Sequence, residues 1–411
     1  MFSKVKNKLA AAVVAVSCAC TGFSMAVVSS ASAAESSSQQ TVSQHELMVS
    51  YFRTWRDVHS NPEVNKNSLS DLPDDVDIAV VFPDDIETTQ NFWDSLPSQI
   101  ATLHQKGTKV IRSLDIRVFY KDVFEQNQME QEALTPMESN EAGYLKRAQE
   151  IRDGLLNYEG LDGVAINAEA FLTQDDVERA AGVIRALSAY YGPLSTSSEN
   201  SILAYNTNEP GTTSLFESVY QCVSYVFADA YGRSVERVQA DWESFEGKIL
   251  SSQYIPGFTF YEERGTQWHD TDDPLATSRA AAYAEWEPQD QESLKGGIFG
   301  YAADRDGAQP GDDEIVFTTF EWTKTLAKIM NKLSYDGNGA ESGKVVSQAA
   351  RVGSSLIVAE NSYEKTGYTF TGWNSAADGS GTAYSAGETV EVSEDPLTLY
   401  AQWQASPNSE D

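Results

Sequence analysis

Short apolar runs alternate with longer stretches of helical period along most of the chain. The runs fall at 47–52, 76–82, 110–114, 163–168, 202–205, 222–227, 255–261 and 296–301. Helical spacing occupies 88–105, 141–156, 173–191, 234–251, 277–284 and 317–333. Eight strands alternating with helices predict an α/β fold, a (β/α)8 TIM barrel over residues 46–335. Chemistry in such a barrel sits where strands hand over to loops at their C-terminal ends. Candidate groups are therefore sought there.

A Gly-rich break at 337–343 closes this pattern, and from 344 to 404 short strands alternate apolar and polar residues between Gly and Asn turns. This predicts a separate small all-β module. Its segments Tyr368-Thr-Phe-Thr-Gly-Trp-Asn374 and Leu397-Thr-Leu-Tyr-Ala-Gln-Trp403 resemble the Listeria-Bacteroides repeat of the internalin B-repeat group. The resemblance implies a stalk or surface adaptor, and with it cell-surface association. Trp373 and Trp403 read as the core of this module and not as sugar platforms.

At the other end, Lys4, Lys6 and Lys8 precede a largely apolar stretch, and Ala31-Ser32-Ala33 supplies a small-x-small cleavage site. Residues 1–33 therefore read as a signal peptide and 34–45 as a Ser/Gln-rich linker. The expectation is Gram-positive-type export to a secreted or cell-envelope location, without membrane insertion after cleavage. Cleavage leaves Cys222 as the one cysteine, in an apolar run where a thiol is inert, so no intramolecular disulfide is expected. Against 61 Asp and Glu there are 29 Lys and Arg, a net charge of −32. That balance excludes nucleic acid as a partner. His45, His59, His104 and His269 lack metal-ligand spacing and no Gly-rich phosphate loop is present, so neither metal nor cofactor is expected.

The most informative segment is Gly160-Leu-Asp-Gly-Val-Ala-Ile-Asn-Ala-Glu-Ala170 on the fourth strand. Alternate strand residues face the same way, so Ala165, Asn167 and Glu169 share the inward face, with Glu169 at the mouth. The stretch resembles the Asp-x-x-Asp-x-Asp-x-Glu signature of family-18 glycoside hydrolases. Asp162 and Glu169 match its first and last acids, while Ala165 and Asn167 stand where the middle two belong. Four further segments narrow the resemblance to the N-glycan endo-β-N-acetylglucosaminidases of the endoglycosidase S and F2 type. They are Tyr51-Phe-Arg-Thr-Trp-Arg-Asp57, Gly107-Thr-Lys-Val-Ile-Arg112, Gly257-Phe-Thr-Phe-Tyr-Glu-Glu263 and Lys295-Gly-Gly-Ile-Phe-Gly-Tyr-Ala-Ala-Asp-Arg-Asp-Gly307. Tyr231-Gly232 falls where the family keeps Tyr-Gly, although Asp229 replaces its Gln.

The resemblance implies substrate-assisted retention, in which the 2-acetamido oxygen of the substrate attacks the anomeric carbon while a Glu protonates the glycosidic oxygen. It casts Glu169 as that general acid, buried beside the scissile bond. Asn167 takes the place of the acetamide-orienting Asp, able to accept the N–H but carrying no charge. Ala165 fits the same change, since an inner acid beside a neutral Asn would be buried without a partner. Tyr231 is the expected helper at the acetamido group. Substrate contacts are expected from Asp162, Asp229, Glu262, Trp268 and Trp286. Glu263 is weighed equally with Glu262, whereas Asp304, Arg305 and Asp306 read as a structural salt-bridged cap, and Trp55 and Trp93 as packing residues. The reading is a secreted hydrolase of the GlcNAc-β-1,4-GlcNAc core of N-linked glycans. The alternatives are a catalytically impaired, glycan-binding barrel and a surface adhesin with the barrel as spacer.

Overall fold

A computed structural model describes residues 46–406, apart from 84–87, 123–133, 196–200, 265–268, 273, 290–293, 331–332, 344, 346, 349–354, 392 and 394–395. Strands β1 (Leu47–Arg53), β2 (Ile78–Phe82), β3 (Lys109–Asp115), β4 (Gly163–Asn167), β5 (Ile202–Thr207), β6 (Tyr225–Asp229), β7 (Tyr254–Thr259) and β8 (Gly297–Tyr301) close a parallel barrel in sequential order. Strand β8 pairs back onto β1 through Val49 and Phe299. Outside it lie α1 (Gln90–Gln105), α2 (Arg117–Tyr120), α3 (Glu141–Glu150), α4 (Gln174–Leu187), α5 (Ser214–Val219), α6 (Val235–Phe245), α7 (Arg279–Glu285) and α8 (Glu321–Met330). This is the expected TIM barrel.

Period-two alternation divides the core into two layers. Outward residues such as Met48, Phe52, Val164, Ile166 and Leu203 pack under the helices. Inward residues Val49, Tyr51, Val80, Ile111, Ala165, Ala204, Phe227 and Phe299 fill the barrel. Each fully buried large apolar side chain contributes roughly 1.5–3 kcal/mol. Helix starts follow capping chemistry: Thr173 and Asp176 form a capping box before α4, Asn140 accepts from the Gly143 N–H, and Ser278 accepts from the Ala281 N–H. Gly247, at φ +77°, follows the end of α6 at Phe245, short of the 251 that the apolar period suggests.

The sixth strand departs from the apolar pattern in a way that matters for the site. Residues 220–222 wind a 3-10 turn, so the strand runs Tyr225–Asp229 and not 222–227. Asp229 thereby becomes the last residue of β6, at the mouth. Cys222 is buried in that turn, where burial pushes its thiol pKa up.

The second unit begins earlier than the Gly-rich break. Strand β9 (Leu333–Asp336) pairs in parallel with β14 (Leu397–Ala405), in a sheet of order β12 (Ala383–Tyr384), β11 (Tyr368–Asn374), β14, β9. Strands β10 (Ser355–Ile357) and β13 (Thr389–Glu391) form a separate pair. The break at 337–343 is a turn inside the module. Trp373 is its buried centre and donates Nε1–H to the Ala359 carbonyl at 3.0 Å, while Trp403 donates to Gly337 O at 2.8 Å. Among the described residues no helix is long and apolar enough to cross a membrane.

Candidate active site

The ends of β3 to β6 bring one polar row to the mouth of the barrel. Asn167, last in β4, sits in register with Asp115 of β3 and Asn206 of β5. Asp115 is held by Arg117 at 2.8 and 2.6 Å. Asn206 donates Nδ2–H to Phe227 O at 3.0 Å and to Asp229 Oδ1 at 2.8 Å. The Oδ1 of Asn167 is sealed from solvent and has no partner among the described residues. A buried unpartnered acceptor is costly, so its presence at a strand end marks a place for an incoming donor. Beneath it Ala165 is fully buried and carries no acid.

Glu169 lies two residues beyond the end of β4, on the loop, and its side chain is exposed. This corrects the expectation that the general acid is already buried: the strand stops at Asn167, and among the described residues the Glu two positions on stays exposed. Asp229 is the buried carboxyl of the site, 5% exposed. Burial first, and then Glu169, push its pKa well above the ordinary carboxylate range, while Asn206 and Tyr231 oppose this only in part. Neither Glu169 nor Tyr231 meets Oδ2 with the geometry of a full hydrogen bond, and that oxygen is sealed from water. Tyr231 packs edge-on against Phe299 and beside Tyr301, and burial raises its hydroxyl pKa, with Asp229 adding to the effect.

An aromatic floor lies under this row. The Tyr51 ring contacts Phe82, Phe227 and Phe299, and its hydroxyl is buried without a partner among the described residues. Gly257 is required here, since a Cβ at that position would stand 2.0 Å from the Phe299 ring. Apolar ring faces beneath hydrogen-bonding groups suit a sugar, whose faces are apolar and whose rim is polar.

Beside the floor, charges form a structural brace. Arg53 pairs with Asp304 at 2.9 and 2.7 Å, with Glu262 at 2.9 Å and with Glu263 at 2.8 Å. Glu263 also binds Arg56 at 2.6 Å. Glu262 keeps 40% of its side chain exposed and so remains available at the mouth, whereas Glu263 keeps 11%. Asp306 caps α8 by accepting from the Trp322 and Thr323 N–H groups at 3.1 and 2.8 Å. Arg305 is buried and spends its N–H groups on the carbonyls of Asp312 and Glu314. Asp304, Arg305 and Asp306 are thus placed as a structural cap.

Two expected substrate contacts are placed elsewhere. Asp162 precedes β4 at the opposite, N-terminal end of the barrel, where Oδ2 accepts from the Val110 N–H at 2.7 Å and meets His104 Nε2 at 2.8 Å. It pins two strands together, far from the mouth. Trp286 is buried behind α7, edge-on to Tyr254 at the start of β7, and is packing, not a platform. Trp268 and His45 lie outside the described residues. Trp93 packs under the Arg112 guanidinium at 4.5 Å, whereas Trp55 is half-buried just past β1, next to Phe82. The remaining histidines each face one carboxylate: His59 on Asp57 and His269 on Asp272. The apolar pattern missed Asn206, Tyr51 and Tyr301. Reading the last inward position of every strand would have found Asn206 and Tyr301, and the inward position before it on β1 would have found Tyr51.

Comparison with known proteins fits this geometry. Residues 50–300 match the model of the endo-β-N-acetylglucosaminidase EndoS TIM-barrel domain, and residues 332–402 match the Listeria-Bacteroides repeat domain. The chain is 33% identical to endo-β-N-acetylglucosaminidase F2 of Elizabethkingia meningoseptica, over 70% of this chain and 83% of that protein. It is 28% identical to EndoS of Streptococcus pyogenes serotype M1, over 70% of this chain but only 34% of that protein. The crystal structure of an endo-β-N-acetylglucosaminidase from Cordyceps militaris aligns with a TM-score of 0.63 at 40% identity, covering 70% of this chain and 91% of that one. A double variant of that enzyme has been solved in complex with fucosyl-N-acetylglucosamine-Asn.

Proposed function

The chain belongs to the endo-β-N-acetylglucosaminidase family of glycoside hydrolases, and on that premise we propose that it is an exported enzyme cleaving the β-1,4 bond between the two core GlcNAc residues of N-linked glycans. The observation that carries this reading is the pair at the end of β4: the sealed Asn167 Oδ1, without a partner among the described residues, with Glu169 two residues further on. The acetamido N–H of the sugar on the non-reducing side of the bond donates to Asn167 Oδ1, which turns the acetamido oxygen toward the anomeric carbon. Glu169 gives its proton to the glycosidic oxygen as that bond breaks and the acetamido oxygen bonds the anomeric carbon. Water then opens the oxazolinium ring and returns a proton to Glu169, with retention. The Tyr51 hydroxyl and the Tyr231 ring line the same space and hold the sugar. Covering Glu169 is left to the substrate, so water leaves as the site fills.

A second reading, a glycan-binding barrel with impaired turnover, is favoured by one feature: β4 offers no carboxylate at 165 or 167 to balance the cationic intermediate. Mass spectrometry of an N-glycoprotein after incubation with the mature chain separates the two. Cleavage that leaves a single GlcNAc on Asn, reduced about 10²–10⁴-fold by Glu169→Gln, supports the hydrolase. Cleavage by Asn167→Asp alone supports the binder. The C-terminal repeat suggests retention at the cell surface, which fractionation of the producing cells tests.

A further inference from the structure

Acidic residues crowd the end of the barrel that holds the site. Seven segments run from the ends of β2–β8 to the helices that return beside the barrel: 83–89, 116–140 with α2 inside it, 168–173, 208–213, 230–234, 260–278 and 302–320. Together they hold twenty Asp and Glu against five Lys and Arg. The six segments that lead from helices back to strands at the opposite end, 106–108, 151–162, 188–201, 220–224, 246–253 and 286–296, hold eight against four. Negative charge is therefore concentrated at the mouth.

The five cations of these segments do not offset it. Arg117 is held by Asp115, and Arg305 is buried 3.6 Å from Glu263. Arg233 donates to Asn208 O at 3.0 Å and lies 3.5 Å from Asp241. Lys121 and Arg264 are exposed, yet Asp122 follows the one in sequence and Asp313 accepts the backbone N–H of the other at 2.8 Å. Within the site, the sealed atoms without a partner among the described residues are the Tyr51 hydroxyl, Asn167 Oδ1 and Asp229 Oδ2, with Tyr51 2% and Asp229 5% exposed. Their side chains are uncharged or acidic. Such a set binds hydroxyl and amide groups and offers an anion no counter-charge.

Resting on the hydrolase reading above, we propose that this acidic rim makes the site selective for neutral N-glycans, whose branches end in uncharged hexoses, against those whose branches end in sialic acid. A sialylated branch carries an ionised carboxylate at its tip, and a branch long enough to reach the loops brings that charge among like charges. Repulsion of this kind acts over about 8 Å at physiological ionic strength and lowers the rate of encounter as well as the affinity. A neutral branch meets no such barrier, and its hydroxyls donate to the same carboxylates. The rim thus rejects one class and holds the other.

Two glycopeptides of one peptide and one branching pattern, galactose-ended and disialylated, test this with the full mature chain. At about 0.01 M ionic strength, where charges act over about 30 Å, kcat/KM for the neutral substrate is expected to exceed that for the sialylated one about tenfold or more. At about 0.15 M the ratio should narrow. Glu209, Asp272 and Glu314 are exposed in three different mouth segments and lie outside the catalytic row. The triple variant Glu209→Lys, Asp272→Lys, Glu314→Lys should leave neutral cleavage within about twofold and raise sialylated cleavage severalfold. Should it fail to fold, Glu209→Gln, Asp272→Asn, Glu314→Gln gives the same readout with half the charge change. Equal cleavage of the two substrates at low salt overturns the proposal. So does a preference that either salt or the charge change leaves unmoved, since shape would then be selecting. If neither glycopeptide is cleaved, the hydrolase reading falls, and binding of the same pair to the natural chain decides: a salt-dependent preference for the neutral one supports the rim, while equal binding or none overturns it.

Discussion

Arg53 and Asp304 clasp each other across 251 positions of sequence, Nε to Oδ1 at 2.9 Å and Nη2 to Oδ2 at 2.7 Å, with each side chain only 2% exposed. The pair joins the end of β1 to the turn after β8, where the barrel closes. That turn is entered through Ala302 in the left-handed region, φ +58°, a conformation costing an L-residue of this kind about 1–2 kcal/mol. The clasp is what holds the turn there. Removing Asp304 leaves a buried guanidinium only partly paired by Glu262 and Glu263, so Asp304→Ala is expected to cost about 3 kcal/mol. Urea unfolding of the two proteins measures this, and an unchanged midpoint would refute the brace.

Asn167→Ala separates chemistry from stability. Its Oδ1 has no partner among the described residues, so truncation should leave the melting temperature unchanged or slightly raised. Loss of the acetamide acceptor should lower kcat by roughly 10²-fold, as for removal of one preorganised polar contact to a developing charge. Steady-state kinetics on a glycopeptide together with a thermal melt decide it.

Asp162→Ala should do the reverse. It strips the Val110 N–H of its side-chain acceptor at the closed end of the barrel and is expected to cost roughly 1–2 kcal/mol, with kcat and KM unchanged in the folded fraction. An increase in KM without loss of stability would return Asp162 to the substrate.

Asp229 makes stability depend on pH in a defined direction. Its pKa is raised on folding, so the folded state binds this proton more tightly than the unfolded one. The stability contributed by its protonated form is therefore complete below the unfolded value near 4 and is lost as pH rises through the folded value. Asp229→Asn does not titrate, so its advantage over the natural chain should grow from pH 4 to pH 8, by about 2 °C or more in Tm. A constant difference between the two melting curves across that range would contradict the raised pKa.

The aromatic floor makes a further prediction about the natural protein. Gly257→Ala places a Cβ against the Phe299 ring, which must tilt into the space above Tyr51. Overpacking of this kind costs typically about 1–3 kcal/mol. The tilted ring also narrows the sugar site, so KM should rise. A normal KM with lowered stability would place the floor below the reach of the substrate.

Much of this protein is written in local pattern. Alternation of period two and of helical period fixes eight strands, their order and their inward faces, because side-chain direction follows from backbone geometry alone. Placing Asn167 and Glu169 at one mouth needs nothing more. The small module, too, is legible in its Gly-Tyr-Thr-Phe-Thr-Gly-Trp-Asn segment. Local pattern could not say where strands end, because ends are set by pairing with neighbours: the 3-10 turn at 220–222 slides β6 forward and carries Asp229 to the rim. Nor could it tell that Asp162 braces β3 or that Trp286 lies behind a helix, since both depend on which end and which layer of the barrel a residue joins. The bond from Asn206 to Asp229, 2.8 Å across two neighbouring strands, was decided by barrel pairing alone. Hydrogen bonding and burial depend on distance in space, and that is not a property of sequence spacing.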